Sequence, residues 1–131
     1  MVNDPVGDLI IRLKNAGAVG HEQVSIPFSN FRLAVLEKLK VAGYIKNFES
    51  KGKKVVKTIE VELAYDKNKT PRINGVKRIS KPGRRMYTSA SAITPVKHGH
   101  GSLIISTPKG VLKDVEAKKE NVGGEALFEI W

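Results

Sequence analysis

The 131-residue chain contains no cysteine. Disulfide frameworks and thiolate metal sites are therefore excluded, and a reducing cytosol is the simplest home. No apolar run approaches the ~20 residues a membrane-spanning helix needs. The opening Met1-Val2-Asn3-Asp4-Pro5 has neither the basic region nor the apolar core of a secretion signal. Catalytic signatures are missing too. There is no Gly-x-Ser-x-Gly elbow and no Gly-rich phosphate loop ending in Lys-Ser or Lys-Thr. The three histidines, His21 and the pair His98-Gly99-His100, have no acid close by in sequence beyond Glu22, and they read as loop residues. No metal, cofactor or small-molecule substrate is expected, and the chain is not read as an enzyme.

The scarcest feature is acidity where the chain is most basic. Lys and Arg number 23 against 13 Asp and Glu, a formal net charge of +10. Residues 1–65 hold ten basic and seven acidic residues, or +3, and residues 66–131 hold thirteen and six, or +7. From Lys67 to Lys113 there are eleven basic residues and no acid. Soluble surfaces usually intersperse the two signs. A one-signed stretch of this length implies a polyanionic partner, nucleic acid first and an acidic membrane second.

Along the chain, Asp4-Pro5 opens a helix, with Asp as cap and Pro tolerated in the first turn. Val6, Leu9, Ile10 and Leu13 form its apolar stripe, and Gly17 and Gly20 stop it. Arg12, Lys14 and Asn15 fall off that stripe. They either complement the helix dipole or touch a phosphate backbone. Val24 to Pro27 reads as a strand. Ser29 or Asn30 caps a second helix carrying Phe31, Ala34, Val35, Leu39 and Ala42, with Leu33 and Leu36 widening the stripe and Gly43 ending it. Tyr44 to Glu49 reads as a strand, Lys51-Gly52-Lys53 as its turn, and Val55 to Leu63 as a half-buried edge or outer strand. The polar run Asp66 to Thr70 is the best boundary. The expected organisation is α+β in two small domains. Residues 1–66 form an α/β unit (helix-strand-helix-strand-strand), and residues 67–131 a mainly β unit with one short helix near Lys113 to Glu120.

In the second half, Arg72 to Asn74, Val76 to Ile79 and Tyr87 to Ile93 read as short strands around a Pro-Gly turn, Ser80-Lys81-Pro82-Gly83-Arg84-Arg85. Glu125 to Trp131 reads as the last strand, with Ala126, Phe128 and Ile130 on one side. Ser102 to Ile105 is a short buried strand leading into Ser106-Thr107-Pro108-Lys109-Gly110. Taken alone, those five residues make an ordinary turn. In their basic setting they also make a surface for a polyanion. Hydroxyls pair with 2′-OH groups and phosphates, Lys109 neutralises a phosphate, and Gly110, Gly123 and Gly124 leave bare backbone for close approach.

Three stretches together resemble the bacterial small-subunit ribosomal protein family called S-eight. They are Asp4 to Ala16, Val76 to Arg85 with Tyr87 following, and Ile104 to Glu125 with its Ser106-Thr107, Lys109-Gly110 and Gly123-Gly124-Glu125 segments. The resemblance covers essentially the whole chain. Pro108 stands where the family commonly has Ser, Lys113 where it often has Thr, and residues 50–57 look abbreviated. The resemblance implies a structural, non-enzymatic constituent of the small subunit, located in the cytoplasm in the ribosome. It implies that the chain binds an irregular stem in the central domain of the small-subunit ribosomal RNA, supports assembly and meets neighbouring ribosomal proteins. In some bacteria the family also represses translation by binding a messenger that mimics the ribosomal site.

The implied RNA-binding residues are Ser106, Thr107, Pro108, Lys109, Gly110, Gly123, Gly124, Glu125, Lys81, Pro82, Gly83, Arg84, Arg85 and Tyr87. Arg12, Lys14 and Asn15 are the secondary contact. Two of these residues keep open roles. Glu125 either accepts from a 2′-OH or base amino group, or fixes a neighbouring loop. Tyr87 either stacks on a base or fills the interface between domains.

Overall fold

A computed structural model describes residues 5–53, 56–94 and 101–131. Helix α1 (Pro5–Ala18) buries Val6, Leu9, Ile10, Leu13 and Ala16, one residue per turn or closer, so the expected stripe is its inner face. The expected Asp4 cap lies outside the described residues. The helix does not stop at Gly17, as the sequence suggested, but runs through it to Ala18. Gly17 is where the ring of Pro71 packs, 3.3 Å from the position a Cβ would take. The chain turns at Gly20, whose φ of +79° suits glycine.

Strand β1 (Gln23–Pro27) leads to α2 (Asn30–Ala42). Ser29 is the cap, its hydroxyl accepting from the Arg32 N–H at 3.0 Å, and Gly43 ends the helix at φ +88°. Val35, Leu36 and Leu39 are buried, so Leu36 belongs to the centre of the stripe rather than its margin. Strands β2 (Ile45–Lys53) and β3 (Val56–Leu63) complete an antiparallel sheet of order β1-β3-β2. Here the sequence reading is corrected twice. Lys51, Gly52 and Lys53 continue β2, paired with Thr58, Lys57 and Val56, because the ladder extends further than apolar alternation alone shows. And β3 is the central strand, not an edge. Its Glu60 and Glu62 face away from the helices while Ile59, Val61 and Leu63 are buried beneath them.

The polar run after β3 is a tight turn. Asp66 Oδ1 accepts from the N–H groups of Asn68 (2.9 Å) and Thr70 (2.8 Å). Arg72 to Asn74 is not a strand, since its N–H groups go to Ala64 and Trp131 rather than to a ladder. Beyond it lie β4 (Val76–Arg78), β5 (Tyr87–Thr88), β6 (Ser102–Thr107), β7 (Gly110–Lys113), α3 (Asp114–Lys119) and β8 (Gly124–Ile130). The second sheet has the order β4-β8-β6-β7, and β5 also pairs with β8. The expected strand Tyr87 to Ile93 shrinks to two residues because β8 begins at Gly124, the partner of Thr88. With no partner left, Ala90–Ala92 form a 3₁₀ turn. Val111 and Leu112, unassigned in the sequence reading, are the middle of β7.

One apolar cluster runs through both sheets, from Leu9, Leu39 and Ile59 to Ile104, Phe128 and Ile130. Each fully buried Leu or Ile contributes about 1.5–3 kcal/mol. The Tyr44 hydroxyl donates to the Ile130 carbonyl at 3.2 Å, and Lys38 reaches Glu116 at 3.0 Å. Burial alone would raise the Glu116 carboxyl. The hydrogen bonds from Lys38 and the Lys113 N–H, with the charges of both lysines, outweigh it and hold Glu116 below the ordinary glutamate range.

Candidate nucleic-acid interface

The β6–β7 hairpin turns through Pro108 and Lys109, with Thr107 opposite Gly110. Pro presets φ at the second turn position, and Gly110 supplies a φ of +107°. Thr107 staples the turn. Its Oγ1 donates to the Gly110 carbonyl at 2.7 Å and accepts from the Lys109 N–H at 3.1 Å. The hydroxyl proton is thus committed inside the loop, and one oxygen lone pair remains to accept from a ligand. The Lys109 ammonium, exposed at the tip, is 3.4 Å from Glu120 at the end of α3.

The structure brings the tip and two other predicted segments to one end of the second sheet. Ser106 of β6 and Tyr87 of β5 both lie opposite Glu125, the second residue of β8. Tyr87 to Ser106 is therefore two strand spacings, roughly 10 Å. Tyr87 is 71% exposed, so it is not interface filler. Immediately before it, Lys81-Pro82-Gly83-Arg84 forms a closed turn, Lys81 and Arg84 exchanging backbone hydrogen bonds, and all four residues and Arg85 are exposed. The close approach permitted by Gly123 and Gly124 is used within the chain. A Cβ at Gly123 would lie 2.2 Å from the Thr88 carbonyl oxygen, and one at Gly124 would lie 2.0 Å from that of Ser106.

Glu125 anchors the basic loop. Its Oε2 accepts from the Ser80 hydroxyl and from Arg85 Nη1, the latter at 3.1 Å. Ser80 is only 2% exposed, and its oxygen also accepts from the Met86 N–H at 3.2 Å. Arg78 Nε donates to the Ser80 carbonyl at 2.8 Å. Burial first, and then the nearby Arg85 charge, lower the Arg78 pKa against the opposing pull of Glu125. It stays a cation, because arginine does not lose its proton in proteins. Ser80 and Arg78 were not among the predicted site residues. The one available signal was Ser80 itself, a hydroxyl between Ile79 and Lys81 that a sheet edge would bury and so have to pair.

Arg12, Lys14 and Asn15 stand apart from this end. Helix α1 packs on β1, α2 and β4, and β4 pairs with the Phe128–Ile130 half of β8, away from Glu125. Lys14 and Asn15 are exposed. Arg12 is engaged by Asp8 at 3.0 Å and by the Ser25 carbonyl at 3.4 Å. Among the described residues no group of three or more His, Cys, Asp or Glu could hold a metal ion. His98 and His100 lie outside those residues.

The family model for Ribosomal protein S8 matches residues 4–131. The chain belongs to that family. It is 49% identical over 131 residues to small ribosomal subunit protein uS8 of Mycoplasmopsis pulmonis, covering 100% of this chain and 98% of that one. It is 46% identical over 131 residues to the uS8 protein of Clostridium kluyveri, covering 100% and 99%. To the uS8 protein of Pelagibacter ubique it is 40% identical over 130 residues, covering 99% and 98%. Members of this family are structural ribosomal proteins and not enzymes.

Proposed function

We propose that this protein, a structural constituent of the small ribosomal subunit, binds small-subunit ribosomal RNA through the Glu125 end of its second sheet. The supporting observation is the convergence there of three elements: the Thr107–Gly110 tip, the Lys81–Arg85 turn and the exposed Tyr87 ring. An RNA helix offers 2′-OH groups in a shallow minor groove, and bulged bases offer stacking faces. The Thr107 lone pair and Ser106 suit the 2′-OH groups, Tyr87 suits a base, and Lys81, Arg84, Arg85 and Lys109 suit phosphates. Glu125 holds the basic turn in place and keeps Arg85 aimed. The target is an irregular stem of the central domain, and occupancy of it supports subunit assembly. Lys14 and Asn15, with Arg12 behind them, form a weaker second contact.

This surface reads the shape of a stem and not the molecule that carries it. A messenger folding into the same stem would compete for it and repress translation. The working location is the cytoplasm, in the ribosome, among neighbouring small-subunit proteins. Residues 1–66 and 67–131 are the domains of this reading, docked through the shared apolar cluster. The test is co-sedimentation with small subunits, joined to a salt titration of stem binding. With about five phosphates neutralised, the log-log slope should be roughly −3 to −5. A flat salt response, or absence from the subunit peak, refutes the proposal.

A further inference from the structure

Helix α3 runs back along the β6–β7 hairpin. It starts where β7 ends, and just past its last residue Glu120 meets Lys109 of the turn at 3.4 Å. A groove of about 410 Å³ lies there, lined by Lys109 and Leu112 from the hairpin and by Glu116, Lys119 and Glu120 from the helix. The sequence holds no acid from Lys67 to Lys113, so it is the fold that brings a carboxylate to the Lys109 ammonium. Local chemistry does not favour an acid at this position. Glu120 caps the C-terminal end of α3, where the free carbonyls attract cations, and Lys118 and Lys119 already supply them. Its side chain is 53% exposed, and its one side-chain partner among the described residues is Lys109. The other carboxylates nearby have separate tasks. Glu116 is committed to Lys38 and the Lys113 N–H, and Glu125 to buried Ser80.

We propose that Glu120 is a specificity-determining residue for RNA binding: it holds Lys109 in the free protein and closes the α3 side of the tip to phosphates. Without its charge, the groove would be lined by Lys109 and Lys119 with only the already paired Glu116 against them. That is a ready site for any polyanion, whatever its shape. With the charge in place, a nucleic-acid backbone on the α3 side meets a carboxylate that repels it. A stem lying across the Glu125 end reaches Lys109 from the Tyr87 side and has only to draw the lysine away from Glu120. The long, flexible lysine side chain permits that exchange, and an exposed ion pair opposes it weakly.

This inference rests on the RNA-binding reading above, and the experiment separates the two. The full-length protein and its Glu120→Gln variant are titrated with a central-domain transcript of small-subunit ribosomal RNA and with a regular RNA duplex of unrelated sequence, at several salt concentrations. Exposed ion pairs set the scale of the change. Affinity for the duplex should rise about five-fold, with a salt slope steeper by about one, while affinity for the transcript should rise less than two-fold. In a Lys109→Ala background the gain on the duplex should shrink to under two-fold, because Lys109 is the cation that Glu120 holds. Glu49→Gln, an exposed change of equal charge on β2 of the other sheet, should leave the ratio of the two affinities as it was. Equal gains on both RNAs, a fall in binding, a gain that persists without Lys109, or the same gain from Glu49→Gln overturns the inference. If the parent shows no preference for the transcript, it is the proposed function that fails, and the gain on the duplex with its dependence on Lys109 still decides the role of Glu120.

Discussion

Gly124→Ala separates two meanings of the double glycine. If Gly124 exists to let RNA approach, the substitution harms binding and leaves the free protein as stable as before. The structure predicts otherwise. A Cβ there would lie 2.0 Å from the Ser106 carbonyl oxygen and 3.1 Å from the Thr107 Cα. Real Cβ atoms essentially never come closer than 3.0 Å, so β8 and β6 must part by about 1 Å at this pair. The obstacle is backbone, and no rotamer change relieves it. Overpacking of this kind costs about 1–3 kcal/mol. For a domain of this size each kcal/mol lowers the melting temperature by about 4 °C, so a fall of roughly 4–12 °C is expected. The displaced Ser106 and Glu125 should also weaken RNA binding, because the tip and the basic turn are registered through them. Thermal unfolding followed by circular dichroism, with RNA affinity on the same preparation, is the assay. An unchanged melting temperature with reduced RNA affinity would refute the packing argument and return Gly124 to the RNA face.

Three further outcomes are expected. Thr107→Val deletes the hydroxyl that closes the turn and offers its lone pair, so RNA affinity should fall about five-fold, roughly 1 kcal/mol. The preference for RNA over a DNA stem of like sequence should fall with it, and parental binding of both stems would confine the hydroxyl to the turn. Lys109→Ala should weaken RNA and DNA alike and reduce the salt slope by about one; an unchanged slope would place Lys109 away from phosphate. The Glu116 carboxyl is held low in the folded state, so its pairing stabilises above the unfolded carboxyl's value of about 4.3 and is lost as pH falls through the lower folded value. Lys38→Met should therefore flatten the loss of stability below about pH 5 in urea titrations, and parallel curves for parent and variant would dismiss the Lys38–Glu116 contribution.

Elements fixed by local chemistry were legible in the sequence. The α1 stripe and the Gly43 stop are short-range signals that appear where they were read, and of the two candidate caps, Ser29 and Asn30, Ser29 makes the bond. Pairing was not legible, because it depends on which strand edges remain free. That is why β3 looked like an edge, and why Tyr87 to Ile93 looked like a full strand although β8 offers it only two partners. The site shows the same division. Positive charge and turn residues marked the tip and the basic loop. The Ser80–Glu125 anchor joins residues 45 positions apart, and only the folded sheet reveals it. Thr107 and the two glycines show the complementary limit. Their residue types suit RNA, but the hydroxyl proton and the missing side chains are already committed to internal contacts.

The central claim is that the Glu125 end of the second sheet grips one ribosomal RNA stem. Hydroxyl-radical footprinting of small-subunit ribosomal RNA by the full-length protein tests it most directly, with a parallel footprint by the Lys81→Ala, Arg84→Ala, Lys109→Ala triple variant. Protection should be confined to one irregular stem of the central domain and be lost in the triple variant at salt concentrations where the parent still binds. Protection spread evenly over the RNA, or a stem footprint that survives all three substitutions, would contradict it.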